Sequence, residues 1–545
     1  MDTVNNLEIA QKAKLVPIGQ IATWAGLSDE DYDPLGRYKA KLTNSAIKRL
    51  TQGKKGKLIL VTAVTPTPAG EGKTTVSIGL AEGLNRIGKK AIPALREPAL
   101  GPVFGVKGGA CGGGHSQVLP MEDINLFFNG DFPAITAAHN LLSAMLDASI
   151  HAGNPLGINM ANVWWPRAVD MIDRALREIV VGLGQGNGLV RSDGFVITPA
   201  SEVMATLCLS SSVPDLKARL SRIIVGLGEG GKPITVGDLG AAGAMTALMR
   251  DAMRPNLVQT MEGGAAILHG GPFGNIAHGC SSILGTQCGL GMADYLVTEG
   301  GFGSDLGGEK FLNIVCPQLS KTPDAIVLVA TVRALKHHGK GDLHFGCLNL
   351  EQHIRHVKSY GPPVVVAVNR FAEDTEEEID EVCQFARKRG VLATEANPWM
   401  CGGSGCEELA EMVVQQAAKE SSFETVYQWS DPIKTKLEKL TEKVYGGKGV
   451  VLSKSAEKRI VWAESHGYGE LPVCVAKTQN SLTDDATALG APTDFELHVK
   501  DLKISAGASF LVAVCGDIML MPGMGKSPAA LRIDVDDDGV IIGLN

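Results

Sequence analysis

A short apolar run, a glycine-rich loop and an amphipathic stretch follow one another near the N-terminus of the chain. Residues 57–64 read KLILVTAV, and a run this rich in β-forming residues is typical of a strand buried in a parallel sheet. The loop TPAGEGKT occupies residues 67–74, and the helix predicted after it closes at Gly88. Residues 89–96 (KKAIPALR) form the next predicted strand. The order strand, loop, helix, strand is a βαβ unit, which predicts an α/β fold with a mostly parallel sheet.

The loop differs at one position from the phosphate-binding motif GxxxxGK[ST]. Thr67 stands where the motif has its first glycine. Backbone N–H groups around Gly70 and Gly72 can still line an anion site, toward which the next helix directs its positive end. Lys73 can reach the outer phosphates of a nucleotide, and the Thr74 hydroxyl can ligate Mg²⁺. The loop therefore predicts a nucleoside triphosphate site, and the alternative is a chance glycine turn with a surface lysine.

The rest of the chain continues the alternation of strands and helices. Further strands are predicted at 324–332 and 363–371. We therefore predict the fold class as α/β and P-loop NTPase-like, with a mostly parallel sheet, flanking helices and two smaller α/β domains. Glycine content and charge change near residues 360 and 450, so the predicted domains are 1–360, 361–450 and 451–545.

Composition argues against several classes of protein. With 51 Lys and Arg against 59 Asp and Glu, the net charge is −8 and no long basic run occurs, which disfavours a general role at nucleic acid or membrane surfaces. No apolar stretch approaches the roughly 18 residues of a membrane span, and the N-terminus has no apolar signal core. We therefore expect a cytoplasmic protein. The 11 cysteines are irregularly spaced without a CxxC pair, which predicts reduced thiols.

A second motif bears on which nucleotide base the protein would bind. Asn369 follows a predicted strand in VVVAVNRFAED, as in the guanine-reading element of GTPases. Ala372, however, stands where the acidic residue that pairs with guanine belongs. Guanine selectivity has no support here, so ATP is the expected nucleotide.

The residues Arg96, Glu97 and Pro98 follow the strand next to the loop. In a parallel α/β sheet, ligands bind at the carboxyl ends of the strands. Arg96 could hold a second anion there, because its planar fork fits carboxylate and phosphate, and a surface Arg–Glu pair is the alternative. The glycine-rich segment 105–115 would then be another loop of close approach, with Lys107 as a candidate anion contact, or else a flexible linker.

Two weaker pairs of side chains are visible. His353 and His356 lie three residues apart, which permits metal binding, but we favour a solvated helix face because no third ligand is near. Phe371 and Trp399 are both predicted in loops and could sandwich a flat heterocycle. On the residues alone, ordinary packing is the favoured interpretation of these two aromatic side chains.

Six blocks along nearly the whole chain resemble the formate–tetrahydrofolate ligase family, in the family's order. The resemblance implies that ATP, formate and tetrahydrofolate are converted to 10-formyltetrahydrofolate, ADP and phosphate, by way of formyl phosphate. No additional folate dehydrogenase module is apparent, so the monofunctional form is expected. The blocks are TPAGEGKTT (67–75), 97–140, GGPFGNIAHGCSS (270–282), DYLVTEGGFGSDLGGEKF (294–311), VATVRALKHHG (329–339) and MPGMGKSPAA (521–530).

The same resemblance assigns roles to residues. Arg96 and Glu97 would lie at the formyl phosphate site and act in catalysis together with the loop lysine. Phe371 and Trp399 match the aromatic pair that stacks on the pterin. Asp131 and His139, both in the block 97–140, are candidates for the base that removes the proton of the folate amine, but neither is assigned this role. The implied ATP site consists of Thr67, Pro68, Ala69, Gly70, Glu71, Gly72, Lys73 and Thr74, the last with Mg²⁺.

The resemblance also implies the wider organisation. Residues 1–360 would bind the nucleotide and activate formate, 361–450 would supply the folate-binding aromatics, and 451–545 would form a C-terminal α/β domain. A homotetramer and a monovalent cation, K⁺ or NH₄⁺, are expected. The competing predictions are another ATP-dependent ligase that activates a small carboxylate, and a nucleotide-dependent switch that orders a partner surface. The switch should hydrolyse ATP slowly without any acceptor.

Overall fold

A computed structural model describes residues 5–53, 55–105 and 111–544 of the chain. Lys107, a candidate anion contact, lies outside the described residues. The described strands are β1 (Tyr32–Pro34), β2 (Ala40–Leu42), β3 (Lys57–Ala63), β4 (Ala91–Leu95), β5 (Gly112–Gly113), β6 (Ser116–Leu119), β7 (Arg167–Val169), β8 (Ile179–Val181), β9 (Arg191–Asp193), β10 (Phe195–Ile197), β11 (Ile224–Leu227), β12 (Pro233–Thr235), β13 (Asn256–Thr260), β14 (Ala265–Leu268), β15 (Tyr295–Glu299), β16 (Ala325–Ala330), β17 (Val364–Asn369), β18 (Leu392–Ala396), β19 (Gly449–Leu452), β20 (Val473–Ala476), β21 (Glu496–Ser505), β22 (Phe510–Cys515), β23 (Asp534–Val535) and β24 (Ile541–Ile542).

Helices flank these strands and connect them. They are α1 (Asn6–Lys12), α2 (Ile18–Ala25), α3 (Asn44–Gln52), α4 (Lys73–Arg86), α5 (Leu100–Phe104), α6 (Met121–Asn125), α7 (Asp131–His151), α8 (Glu202–Leu209), α9 (Val213–Arg222), α10 (Ala242–Leu248), α11 (Ile283–Met292), α12 (Cys316–Leu319), α13 (Val332–His338), α14 (Leu343–Lys358), α15 (Glu376–Arg387), α16 (Pro398–Cys401), α17 (Glu407–Ala417), α18 (Ile433–Leu440) and α19 (Lys454–Ser465). Within the described ranges, no helix is long and apolar enough to cross a bilayer.

A mixed sheet of 12 strands organises the larger part of the molecule. Its main path runs β1-β2-β13-β14-β4-β15-β3-β16-β17-β18, and β6 and β5 continue from β13. All neighbouring pairs from β14 to β18 are parallel, so the carboxyl ends of these strands meet at one edge of the sheet. The predicted fold class, α/β with a mostly parallel sheet and flanking helices, is confirmed.

The central strands are apolar because both of their faces are covered. Every residue of β16 and β17 is buried, and β3 is buried from its second residue onward. The predicted strand 324–332 ends earlier, at Ala330. The reason is that the Thr331 side chain accepts a hydrogen bond from the Ala334 backbone N–H (3.0 Å) and so caps α13.

The histidines of α14 are not solvated, so the favoured sequence prediction for them was wrong. His353 and His356 are both buried. The Ser304 hydroxyl lies 2.7 Å from His353 Nδ1 and 2.8 Å from His356 Nδ1, and the Thr65 hydroxyl lies 2.9 Å from His353 Nε2. Burial lowers the pKa of His353 to about 4, so this imidazole is neutral at physiological pH.

Two further units pack beside the main sheet. Helices α7 to α10 enclose a second apolar core, to which Ile135, Leu142 and Leu216 belong. The C-terminal part forms a four-stranded sheet in the order β19-β21-β22-β20. The main sheet itself continues past the predicted domain boundary at 360, because β16 and β17 pair directly in parallel. The division of the chain into three domains stays a prediction.

Candidate active site

One edge of the parallel sheet collects most of the residues that the sequence singled out. Arg96 directly follows β4, Glu299 ends β15, and the glycine-rich loop 67–74 follows β3. Phe371 comes just after β17 and Trp399 just after β18. Because β4, β15, β3, β16, β17 and β18 are successive neighbours in the sheet, these side chains lie along one continuous rim.

The loop after β3 has the backbone shape of an anion cradle. Gly70 (φ 82°) and Gly72 (φ 68°) both adopt the left-handed conformation that favours glycine. Helix α4 begins at Lys73, with Gly72 as its N-cap residue. A Cβ atom on Gly72 would lie 2.5 Å from Asn369 Nδ2, which donates a hydrogen bond to the Glu71 carbonyl (3.0 Å). The end of β17 therefore supports the loop at its closest point.

Glu71 explains why a threonine can begin this loop. The Thr67 backbone N–H (2.6 Å) and hydroxyl (2.8 Å) both donate to Glu71 Oε1. The Thr331 hydroxyl donates to the second carboxylate oxygen, and Arg333 donates to the Gly70 carbonyl. Because the Glu71 carboxylate is buried and its oxygens accept hydrogen bonds from the protein, it fixes the shape of the loop and is not available to a ligand.

Glu299 connects the glycine-rich loop to Arg96. The Thr74 hydroxyl donates to Glu299 Oε2 (2.8 Å), and Arg96 Nη2 lies 3.5 Å from Glu299 Oε1. Arg96 Nη1 also donates to the Pro272 carbonyl (3.2 Å). The Glu299 side chain is 3% exposed and that of Arg96 22%, so the pair is largely shielded from water. Arg96 thus pairs with Glu299, and the alternative of a surface pair with its sequence neighbour Glu97 is wrong.

The Thr74–Glu299 pair also fits a divalent cation. The Thr74 hydroxyl in the first turn of α4 and the Glu299 carboxylate at the end of β15 are oxygen ligands of the kind that Mg²⁺ prefers. Both side chains face the start of α4, where phosphate oxygens would complete the coordination of the cation. No role was predicted for Glu299 from the sequence, although this residue directly follows an apolar run and lies within the block 294–311.

Glu97 points into a buried polar network. Its Oε1 accepts hydrogen bonds from Asn256 Nδ2 (3.0 Å) and from the Gly270 backbone N–H (3.1 Å). Asn256 also donates to Asp131 (2.8 Å), which forms an ion pair with Lys41 (2.7 Å). Burial, and then the negative charge of Asp131, raise the pKa of Glu97 well above its usual range. Both effects favour the protonated form of the Glu97 carboxyl.

A cavity of about 480 Å³ opens beside this carboxyl group. Glu97 and Pro98 line it on the sheet side, and the rings of Phe128 and Phe132 line it on the helical side. Asp170 also faces the cavity, and burial raises its pKa to about 6. The residues just after Arg96 therefore border a mostly apolar space with two carboxyl groups.

Phe371 lies in the loop after β17, whereas Trp399 lies on the short helix α16, so the prediction of a loop at Trp399 was wrong. The guanidinium of Arg333 lies 4.3 Å from the centre of the Phe371 ring. Trp399 is 37% exposed, and its indole N–H donates to Asn6 Oδ1 (3.3 Å). The Trp399 carbonyl accepts a hydrogen bond from the His115 backbone N–H (2.9 Å), which ties it to the segment before β6. Phe371 and Trp399 therefore follow the adjacent strands β17 and β18 but contact different parts of the chain.

Neither candidate base of the 97–140 block is available. His139 Nδ1 lies 2.8 Å from the Ser201 hydroxyl, and Nε2 lies 2.9 Å from the Pro166 carbonyl. Burial lowers the pKa of this histidine to about 4. Asp131 is buried between Lys41 and Asn256. Both side chains are occupied by the protein, so the structure assigns neither of them to proton transfer.

The fold and the rim define an α/β protein with a P-loop-like cradle at the carboxyl edge of a parallel sheet. A family model described as formate–tetrahydrofolate ligase matches residues 4–545. The chain therefore belongs to the formate–tetrahydrofolate ligase family, over essentially its whole length, and the predicted enzyme class is confirmed. This family implies ATP-dependent ligation of formate to tetrahydrofolate in one-carbon metabolism, with ATP and tetrahydrofolate as substrates.

Proposed function

We propose that the chain makes 10-formyltetrahydrofolate through formyl phosphate, at the rim between the glycine-rich loop and Arg96. The proposal rests on one observation. Glu299 contacts both Thr74 of the loop and Arg96, so the nucleotide cradle and the second cation border one space. A carboxylate acceptor and the γ-phosphate of ATP would meet between them.

The chemistry explains why two cationic groups are needed. Formate is a poor electrophile because its carbon belongs to a resonance-stabilised anion. A formate oxygen attacks the γ-phosphorus, the bond to ADP breaks, and a mixed anhydride with a good leaving group results. Lys73 and Arg96 would neutralise the charge of the two anions as they approach. Mg²⁺ bound with ATP would supply further positive charge, held by Thr74 and Glu299.

Glu97 is suited to the formyl end of the intermediate. A neutral carboxyl can donate a hydrogen bond to an oxygen of the acyl phosphate, whereas an ionised one would repel it. Its raised pKa and its place in the lining of the 480 Å³ cavity support this role.

The second half-reaction needs the folate amine near the formyl carbon. The amine nitrogen attacks this carbon, the C–O bond breaks, inorganic phosphate leaves and the amine proton is lost. We assign the pterin to the space bordered by Phe371 and Trp399, because they follow the neighbouring strands β17 and β18, whose carboxyl ends lie at the same edge of the sheet as the glycine-rich loop.

The remaining parts of the proposal rest on the family resemblance. We assign activation by K⁺ or NH₄⁺, a homotetrameric assembly and a cytoplasmic location to this protein. Residues 1–360, 361–450 and 451–545 would keep the roles of activation, folate contact and C-terminal support.

Positional isotope exchange tests the intermediate directly. ATP labelled with ¹⁸O in the β,γ-bridge is incubated with the enzyme and Mg²⁺, without tetrahydrofolate. Transfer to formate frees the β-phosphate of ADP to rotate, so the label should scramble when formate is present and stay in place when it is absent. The Lys73→Ala variant should scramble no label. Scrambling without formate, or none in its presence, would contradict the formyl phosphate route.

A further inference from the structure

A second cavity, of about 310 Å³, lies between the helical unit and the C-terminal sheet. Its walls come from residues 139–205 on one side and from β21 and β22 on the other. The residues of the proposed ligase site are not part of its lining. A volume of this size is in the range of small-molecule pockets.

Aromatic rings form one wall of this cavity. Trp164 and Trp165 are neighbours in sequence and both line it. Trp165 is nearly buried and stacks on the ring of His139, with the ring centres 4.2 Å apart. Trp164 meets the edge of Trp462 at 5.7 Å. This wall is held rigid by its own contacts and offers a preformed surface to a flat apolar body.

Two cations line the same cavity without forming an ion pair among the described residues. The Arg459 guanidinium lies 4.3 Å from the centre of the Trp164 ring, and Lys503 projects from β21. Across the described part of the chain, neither cation has a hydrogen bond or an ion pair. The Lys503 side chain is exposed, and desolvation by the surrounding protein lowers the pKa of its ammonium, while the charge of Asp501 acts in the opposite direction.

The two carboxylates of the cavity are already occupied. Glu202 accepts a hydrogen bond from the Gly507 backbone N–H (2.8 Å), and burial raises its pKa to about 7. Asp501 accepts a hydrogen bond from the Ser455 hydroxyl (3.1 Å). Lys503 and Arg459 still lack an ion pair among the described residues, with the charge of Asp501 acting on Lys503, and a bound anion would supply the missing negative charge to both cations.

We propose that this cavity is a binding site for a small aromatic carboxylate, with its carboxylate between Lys503 and Arg459 and its ring against the Trp164 wall. The argument does not depend on the ligase reaction, because the cavity shares no lining residue with that site. A bound molecule would contact both the helical unit and the C-terminal sheet, and so should stabilise their association.

The test uses 1-naphthoate as the probe and the full chain as the protein. Isothermal titration calorimetry should show one molecule bound per chain, and the neutral analogue 1-naphthalenemethanol should bind at least tenfold more weakly. Lys503→Gln and Arg459→Gln should each raise the Kd for 1-naphthoate at least fivefold. Lys500→Gln is the matched control, because Lys500 lies on the same strand and pairs with Asp517 (2.6 Å). Its Kd should stay within twofold.

Several results would overturn the proposal. The proposal is wrong if 1-naphthoate does not bind at several millimolar, if the neutral analogue binds with equal affinity, or if the Kd for 1-naphthoate is unchanged in both glutamine variants. Displacement of the probe by saturating MgATP would also overturn it, since the probe would then occupy the nucleotide site. Circular dichroism checks the fold of each variant, and if one variant unfolds, the other variant and the neutral analogue decide.

Discussion

Replacing Glu299 with glutamine is the sharpest test of the proposed ligase site. The substitution keeps the size of the side chain but removes the charge that Thr74 and Arg96 share. The Thr74 hydroxyl can still donate to the amide oxygen, whereas the amide N–H₂ group would face the guanidinium. One charge-assisted contact is therefore lost at the point where the nucleotide cradle meets the second cation.

The size of the effect follows from the contacts of Glu299. Hydrogen bonds to charged groups contribute about 1.5–3 kcal/mol, and the 3.5 Å separation and partial exposure of Arg96 favour the lower half of this range. If that stabilisation is needed in the transition state, kcat should fall about 10- to 40-fold, since about 1.4 kcal/mol corresponds to tenfold.

The assay is formate-dependent release of ADP at saturating tetrahydrofolate. Glu438→Gln provides the matched control, because Glu438 lies on the exposed helix α18 and only approaches Lys434 (3.8 Å). That variant should keep its kcat within twofold. An equally small change for Glu299→Gln would refute the view that this carboxylate joins the two halves of the site.

Three further expectations follow from other parts of the molecule. Arg96→Ala should lower kcat far more than it weakens ATP binding measured by calorimetry, and equal losses in both would contradict a role in the transfer step. Trp399→Ala should raise the KM for tetrahydrofolate about 5- to 150-fold, which corresponds to the loss of about 1–3 kcal/mol of stacking, and should leave the KM for ATP unchanged. An unchanged KM for tetrahydrofolate would reject stacking. Burial raises the pKa of Glu202 to about 7, so its contribution to stability is present at acidic pH and lost as pH rises through 7. Glu202→Gln should therefore flatten the fall of the unfolding free energy between about pH 4.5 and 7 in urea titrations, and an unchanged slope would contradict the shift.

The parallel core of the fold was accessible from the sequence because burial on both faces requires continuous apolar runs. Residues 57–64 and 363–371 show this pattern, and they form β3 and β17. The loop could also be recognised, since Gly70 and Gly72 occupy positions where a left-handed backbone is needed. These features are local, so no knowledge of distant pairing was required.

Features that depend on distant pairing could not be found in this way. Glu299 contacts Thr74 only because β15 inserts between β3 and β4, and a linear sequence does not show the order of strands. The burial of His353 against Thr65 could not be predicted for the same reason, because Thr65 lies almost 300 residues away in sequence. A helical pattern predicts which residues share a face, but it cannot say whether another segment covers that face.

Arg333 and Asn369 tie the glycine-rich loop to the aromatic side of the rim. Arg333 donates to the Gly70 carbonyl while its guanidinium covers the Phe371 ring, and Asn369, two residues before that ring, donates to the Glu71 carbonyl. A displacement of the loop when phosphates enter it is therefore passed through these two side chains to Phe371. With the nucleotide and the pterin at the sites proposed for them, occupancy at one end of the rim would change affinity at the other, and thermodynamic reciprocity would require pterin binding to change nucleotide affinity by the same factor.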